Sequence, residues 1–236
     1  MRRDHPLLEQ RRRLAAAGAP PPWIALFDID STLMDTSPRN RAILKAAADR
    51  IPGIRQVWPR LDLEKPFWNV VEPVRRAGLT DEAVLREVRA FWEERFFTDE
   101  WIQMDEPYPG AAAFLHALKD EGFGLAYLTG RHRQGMETGT RASFARYGLP
   151  AGPSETFFFK PDFSIDDLDF KTTVCREIEE LGTLVLSVDN EPANANLFRS
   201  TFPAALTIWL DTVTSPAPAP LLPGIERRDI GWYLEL

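Results

Sequence analysis

Four short apolar runs punctuate the chain, and each ends in polar residues. Trp23 to Phe27 (WIALF) leads into Asp28-Ile-Asp30-Ser-Thr32, Gly124 to Leu128 (GLAYL) into Thr129-Gly130-Arg131, Leu184 to Val188 (LVLSV) into Asp189-Asn190, and Ala205 to Leu210 (ALTIWL) into Asp211-Thr212. Continuous apolar runs of this length suit strands that helices bury on both faces. Helical patterns lie between them, as over Gly110 to Asp120 and Phe170 to Leu181. The alternation predicts a parallel α/β sheet. Ligands of such sheets bind beyond the carboxyl ends of the strands, where these polar groups gather.

From Asp35 to Tyr108 the alternation stops, over an interval too long for a simple crossover. Its content is helical. Arg39 to Ile51 is rich in Ala and Arg, and Pro66 to Ala77 is broken by Pro73. Thr80 to Phe97 opens on a Thr-Asp-Glu cap and spaces Val84, Val88, Phe91 and Trp92 by three and four. The interval predicts an inserted helical subdomain. Trp58, Phe67, Trp68, Phe91, Trp92, Phe96, Phe97 and Trp101 crowd into it; most are expected in its core and interface, with a minority lining a pocket. Two accessory pieces flank the pattern. His5 to Ala17 is helix-like, with Leu7, Leu8 and Leu14 on one side, until Ala-Pro-Pro-Pro at 19–22 stops it. Ser215 to Pro223 (SPAPAPLLP) is a stiff extended segment before a tail that contains Trp232.

Composition narrows the classes. A chain of 236 residues with 44% hydrophobic and 27% charged residues is folded rather than disordered. No apolar run nears the roughly 20 residues of a membrane span, and the first twenty positions lack a signal-length apolar core. The expected location is the cytoplasm, without a membrane partner. Cys175 is the single cysteine, so an internal disulfide and two-thiol redox chemistry are excluded. A net charge of -7 argues against general nucleic-acid binding, which rests on Lys and Arg neutralising phosphates. The charge is uneven: Pro38 to Trp101 holds 12 Lys and Arg against 11 Asp and Glu, which leaves 16 against 24 for the rest.

Asp28 and Asp30, two apart on an extended strand end, point to the same side. Crowded acids repel, so positive charge must sit beside them, and a hard divalent cation on oxygen ligands meets that need. Asp189, at another strand end, adds an oxygen. Magnesium takes one or two protein carboxylates, so Asp28, Asp189 and a carbonyl near Asp30 suffice. Phosphoryl transfer then needs a nucleophile, donors to the equatorial oxygens and an acid. Asp28 is the candidate nucleophile and Asp30 the group that exchanges a proton, while the Thr129 hydroxyl and Gly130 amide are donors. Two lysines compete to balance the acids, Lys160 and Lys171. Lys171 is favoured, because a cation in the first turn of a helix opposes the dipole and so points to a partner elsewhere; the alternative is pairing with Asp166, Asp167 and Asp169. The planar fork of Arg131 suits a substrate phosphate or the strand-end loop. His116 and His132 have no partners at metal-ligand spacing and read as surface or helix residues.

FDIDSTL at 27–33, YLTGR at 127–131, the KP-to-FK stretch at 160–171 and SVDNEPAN at 187–194 resemble, in order, the four motifs of the haloacid dehalogenase superfamily. The resemblance covers Trp23 to about Thr212. It implies an α/β fold with a Rossmann-like parallel sheet core, helices on both faces, and an all-helical C1-type cap inserted after the first strand. The core would be 1–35 and 106–236, with 1–22 an accessory helix and 212–236 a tail, and the cap 36–105. The implied activity is Mg2+-dependent hydrolysis of a small phosphorylated metabolite through an aspartyl-phosphate. Carried over, Asp28 is the nucleophile, Asp30 the acid/base, Thr129 the phosphate-binding hydroxyl, Lys171 the stabilising lysine and Asp189 a metal ligand. An acid two residues after the nucleophile marks the phosphatases and mutases of this family; its dehalogenases lack it.

Two positions depart from the family pattern. Ser31 replaces a usual Gly, a change expected to be tolerated if the backbone there avoids positive φ. In the fourth motif, Asn190, Glu191 and Asn194 stand where a second acid is usual. Asn190 or Asn194 can offer a neutral carbonyl oxygen, and Glu191 can approach through water. The Arg131 region and the HRQGMETGT that follows resemble acid-phosphatase-like and polynucleotide-phosphatase-like members. Nucleotide or nucleic-acid-end hydrolysis therefore stays open, as does a non-catalytic phosphate- or metal-binding role that follows from the altered fourth motif.

Overall fold

Ile24 and Leu26 pack to one side of their strand, Ala25 and Phe27 to the other, and all four are buried. That two-sided burial governs the architecture of the computed structural model, which describes every residue except Arg3, Ala217 and Leu236. The strands are β1 (Trp23–Phe27), β2 (Met34–Asp35), β3 (Glu106–Pro107), β4 (Phe123–His132), β5 (Thr156–Lys160), β6 (Thr183–Asp189), β7 (Leu206–Leu210) and β8 (Glu226–Arg228). Six form one sheet in the order β5-β4-β1-β6-β7-β8, and every neighbouring pair is parallel. The order reverses at β1, between β4 and β6, which opens a crevice at their carboxyl ends.

Helices α1 (Pro6–Ala16), α2 (Ser37–Arg50), α3 (Pro52–Val57), α4 (Val71–Arg76), α5 (Glu82–Phe96), α6 (Asp99–Ile102), α7 (Ala111–Asp120), α8 (Arg133–Arg146), α9 (Asp167–Leu181) and α10 (Pro192–Thr201) complete the fold. Apolar residues of α1, α7 and α8 cover one sheet face, and those of α9 and α10 the other. Helices α2 to α5 gather around a separate cluster that includes Ile43, Ile54, Val74, Val88 and Trp92. The chain enters and leaves this helical insert through β2 and β3, which pair antiparallel as a two-strand ribbon. No helix among the described residues is long and apolar enough to cross a membrane.

Some local expectations fail for definable reasons. The helix expected over Pro66 to Ala77 shrinks to α4, because the Asn69 side chain accepts from the amides of Val71 and Glu72 and starts the helix there. Pro73 then falls in the first turn, where its missing N–H costs nothing. Strands β5 and β8 lie at the sheet edges, and the charged sequence of β8 protects an exposed edge while hiding the strand from an apolar pattern. The Pro-rich segment, Ala217 lying outside the described residues, rests on α10, where Asn196 exchanges hydrogen bonds with Pro220 and Leu222. Beyond it, Trp232 and Tyr233 pack on Phe114 with ring centroids 4.6 and 5.5 Å away. The Tyr233 hydroxyl donates to the Thr32 carbonyl at 3.0 Å.

Candidate active site

Strand β1 pairs for one residue past Phe27, since the Asp28 amide donates to the Val188 carbonyl at 3.0 Å. Asp28 therefore leaves the sheet beside Asp189, the last residue of β6. Lys171 arrives from α9 and joins them: its ammonium donates to Asp28 Oδ1 at 2.8 Å and Asp189 Oδ2 at 2.7 Å. All three side chains are less than 10% exposed. Asp166 caps α9 by accepting from the amides of Leu168 and Asp169, so the helix starts earlier than its apolar pattern suggests and Lys171 sits in the second turn, not the first. Its partners are the strand-tip acids and not its acidic neighbours in sequence. Lys160 instead pairs with Asp167 at 2.6 Å. Burial pushes the Asp28 carboxyl up to about 7, with Lys171 pulling it down and Asp189 pushing it further up. Burial opposes the charge of Lys171, yet Asp189 and Asp28 hold its ammonium above the ordinary lysine range.

The turn that follows corrects one expectation. Ser31 has φ 57°, the left-handed region, because the chain must bend sharply for Ser31 N to reach the Met34 carbonyl at 2.7 Å. A side chain there costs about 1–2 kcal/mol that glycine avoids, part of which the greater freedom of unfolded glycine cancels. Ser31→Gly is expected to raise stability by about 0.5–1 kcal/mol, read as a higher midpoint in urea denaturation.

Asp30 belongs to a second cluster. Its carboxylate accepts from Arg39 Nη2 at 2.5 Å and from Arg131 Nε and Nη2 at 2.8 and 2.9 Å. Both guanidiniums also meet Asp105, Arg131 Nη2 by a 2.8 Å hydrogen bond and Arg39 Nε by ion pairing at 2.9 Å. Arg39 further donates to the Phe96 carbonyl at 2.7 Å and lies 3.8 Å over the Phe96 ring. Burial favours a neutral Asp30, but Arg131 and Arg39 outweigh it and hold the carboxyl well below the usual range. Burial wins at Asp105, which moves up to about 6. Asp30 is thus a carboxylate in this arrangement, and its two guanidinium partners oppose its protonation. The Arg131 fork is used up on Asp30, Asp105 and Thr140, so of its two expected uses it serves the strand-end loop. Arg39 and Asp105 gave no sign in the sequence. Arg39 is one of several cations on an Ala-rich helix, and its partners lie 66 residues away or on the other domain.

A cavity of about 170 Å³ opens beyond the strand ends, lined by Asp28, Asp30, Gly130 and Lys171 below and by Trp68, Trp92, Phe96 and Phe97 from the insert. These four are half of the eight aromatics and not the expected minority, while Phe67 is buried in the insert's cluster and Trp58, Phe91 and Trp101 pack against it. Gly130 admits the Asp167 carboxylate, which a Cβ would strike. Thr129 is not among the lining residues; it is fully buried and its hydroxyl accepts from the Arg131 amide at 3.2 Å. The Asn190 side chain is engaged within the protein: its Oδ1 accepts from the Thr32 hydroxyl at 3.2 Å and its Nδ2 donates to the Val213 carbonyl. The Glu191 carboxylate is held by the Ser215 amide and hydroxyl, and Asn194 Nδ2 donates to Asp189 Oδ1 at 3.1 Å. His116 contacts the Gly148 carbonyl at 2.8 Å and His132 packs edge-on to Phe163. Among the described residues no three His, Cys, Asp or Glu side chains are arranged around a metal. A divalent cation still fits Asp28, Asp189 and the Asp30 carbonyl, since magnesium needs few protein carboxylates. Lys171 is a single ammonium bonded to the two buried carboxylates of Asp28 and Asp189, a charge balance that a divalent cation would complete.

The sequence profile described as haloacid dehalogenase-like hydrolase matches residues 24–196. Among solved structures, a candidate phosphatase from Clostridium difficile has TM-score 0.55 at 15% identity, over 83% of this chain and 88% of that one. A predicted phosphoglycolate phosphatase from Haemophilus somnus gives 0.50 at 16%, over 90% and 96%. A dehalogenase determined with an intermediate complex gives 0.50 at 15%, over 90% and 94%. At such identities the likeness is one of fold. No protein in the curated comparison matches.

Proposed function

We propose that this chain, which belongs to the haloacid dehalogenase-like hydrolases, is a Mg2+-dependent phosphatase of small phosphomonoesters that carries the phosphoryl group on Asp28. The observation that carries the reading is Lys171 joining Asp28 and Asp189 at adjacent strand tips with the Asp30 carboxylate beside the same cavity. An Asp28 oxygen attacks phosphorus, the P–O bond to the alcohol breaks, and the alkoxide takes a proton from Asp30, which enters this step protonated and recovers the proton in the next. Water then attacks the phosphoryl group on Asp28 while Asp30 accepts the water's proton, which frees phosphate and restores the carboxylate. Bound magnesium would supply charge to the phosphoryl oxygens, held by Asp28, Asp189 and the Asp30 carbonyl. Lys171 offsets part of the repulsion between the two buried acids. For Asp30 to protonate the first leaving group, its contacts to Arg131 and Arg39 must loosen, while both guanidiniums stay on Asp105.

The acid at position 30 favours phosphate over organohalide chemistry, since in this family dehalogenases lack it. The cavity volume supports a small metabolite over a nucleotide or nucleic-acid end, because pockets for drug-sized ligands run to roughly 300–1,000 Å³. The test is phosphate release from a panel of small phosphomonoesters. Release is expected to fall to background with EDTA and to return with Mg2+. Halide release from a 2-haloacid, with no phosphate release from any ester, would overturn the proposal.

A further inference from the structure

We infer that the leaving group this site accepts is uncharged and apolar, a short aryl or alkyl alcohol, and that the aromatic wall of the insert selects it. The inference rests on the phosphatase reading and adds the substrate class. The wall has four rings, Trp68, Trp92, Phe96 and Phe97, packed on one another with centroids 4.7 to 6.2 Å apart. Such a surface gains from an apolar partner and offers nothing to a solvated ion.

The cavity's charges exclude the alternatives. A leaving group with its own carboxylate or second phosphate needs a cation, yet the two lining cations are committed: Lys171 to Asp28 and Asp189, and Arg131 to Asp30 and Asp105. Of the remaining ionisable groups lining the cavity, Asp167 is paired with Lys160 and Glu191 is an acid, so neither offers a second anion a partner. A cationic leaving group would normally find a partner in aromatic faces. Here the Arg39 guanidinium already occupies the Phe96 ring at 3.8 Å, and a second positive charge against it is unfavourable. What remains is a neutral group of modest size, in keeping with a cavity of about 170 Å³ that must also hold the phosphoryl group.

Two measurements on the Mg2+-loaded protein test this. In the first, benzyl phosphate is expected to show kcat/KM about tenfold or more above phosphoglycolate and ethanolamine phosphate, the scale on which an apolar pocket discriminates. Trp68→Lys, at a residue 36% exposed, is expected to shrink the benzyl-to-phosphoglycolate ratio by a similar factor. In the second, intrinsic tryptophan fluorescence reports binding of benzylphosphonate and phosphonoacetate, with the first expected to bind about tenfold more tightly. Equal or better turnover of phosphoglycolate or ethanolamine phosphate would overturn the inference, as would equal binding of the two analogues. If no ester is hydrolysed but benzylphosphonate still binds more tightly, the wall's selectivity stands and the phosphatase reading falls.

Discussion

Asp28→Asn is expected to lower phosphomonoester turnover by about 10⁴-fold or more while leaving the chain folded. An amide oxygen does not form the phosphoryl ester, so the loss should fall on kcat and not on KM. Asparagine keeps the shape of aspartate and an oxygen for the Lys171 ammonium, now 2.8 Å away. Stability as a function of pH gives an independent check. Burial moves the Asp28 carboxyl from 3.8 to about 7, so across that window the folded state binds the proton that the unfolded state has released. Stability from this group therefore falls as pH rises from about 4 to 7 and stays low above, without metal. The variant has no such titration. Its Tm relative to wild type should climb across this window in EDTA, by differential scanning calorimetry. Residual turnover within a factor of ten of wild type would remove Asp28 from the reaction.

Lys171→Met is expected to cost about 3–5 kcal/mol, the usual result of leaving buried charge without its partner. Asp28 and Asp189 would face each other with no cation between them, and both are almost fully buried. At about 2–4 °C per kcal/mol for a chain of this size, the midpoint should fall by roughly 10 °C. Turnover should fall as well, because Asp28 would hold its proton to a higher pH than the present value of about 7. Adding Asp28→Asn should recover part of the lost stability, since one buried carboxylate then remains where there were two. Lys160→Met is the contrast: its partner Asp167 is 59% exposed, so its loss should cost no more than about 1 kcal/mol. Similar Tm losses for the two lysine variants would contradict the assignment of Lys171.

Much of the core could be read from the chain because two-sided burial leaves a local signature. WIALF is apolar throughout and LVLSV is interrupted only by Ser187, and the polar residue that ends each run lands at the strand tip. Asp28 and Asp189 were visible for that reason, whereas Lys171 was singled out by a first-turn placement that the earlier start of α9 corrects. What escaped depends on contacts between distant residues. Nothing near Arg39 says that it will reach Asp30 and Asp105, because its burial is produced by the insert folding back over the sheet. Nothing near Asn190 says that its side chain will meet Thr32 and Val213. Ser31 gave no warning of its left-handed backbone, since serine carries no preference for it.

The loop behind Asp28 is fastened by residues far downstream. The Ser31 carbonyl accepts from the Thr212 hydroxyl, and the Thr32 carbonyl accepts from Tyr233, 201 positions further along. A nascent chain emerging from the ribosome therefore carries Asp28 well before the residues that fasten this loop. A polypeptide interrupted before Thr212 is expected to keep the Thr32–Asn190 contacts but to lack both of these fastenings and the edge strand β8.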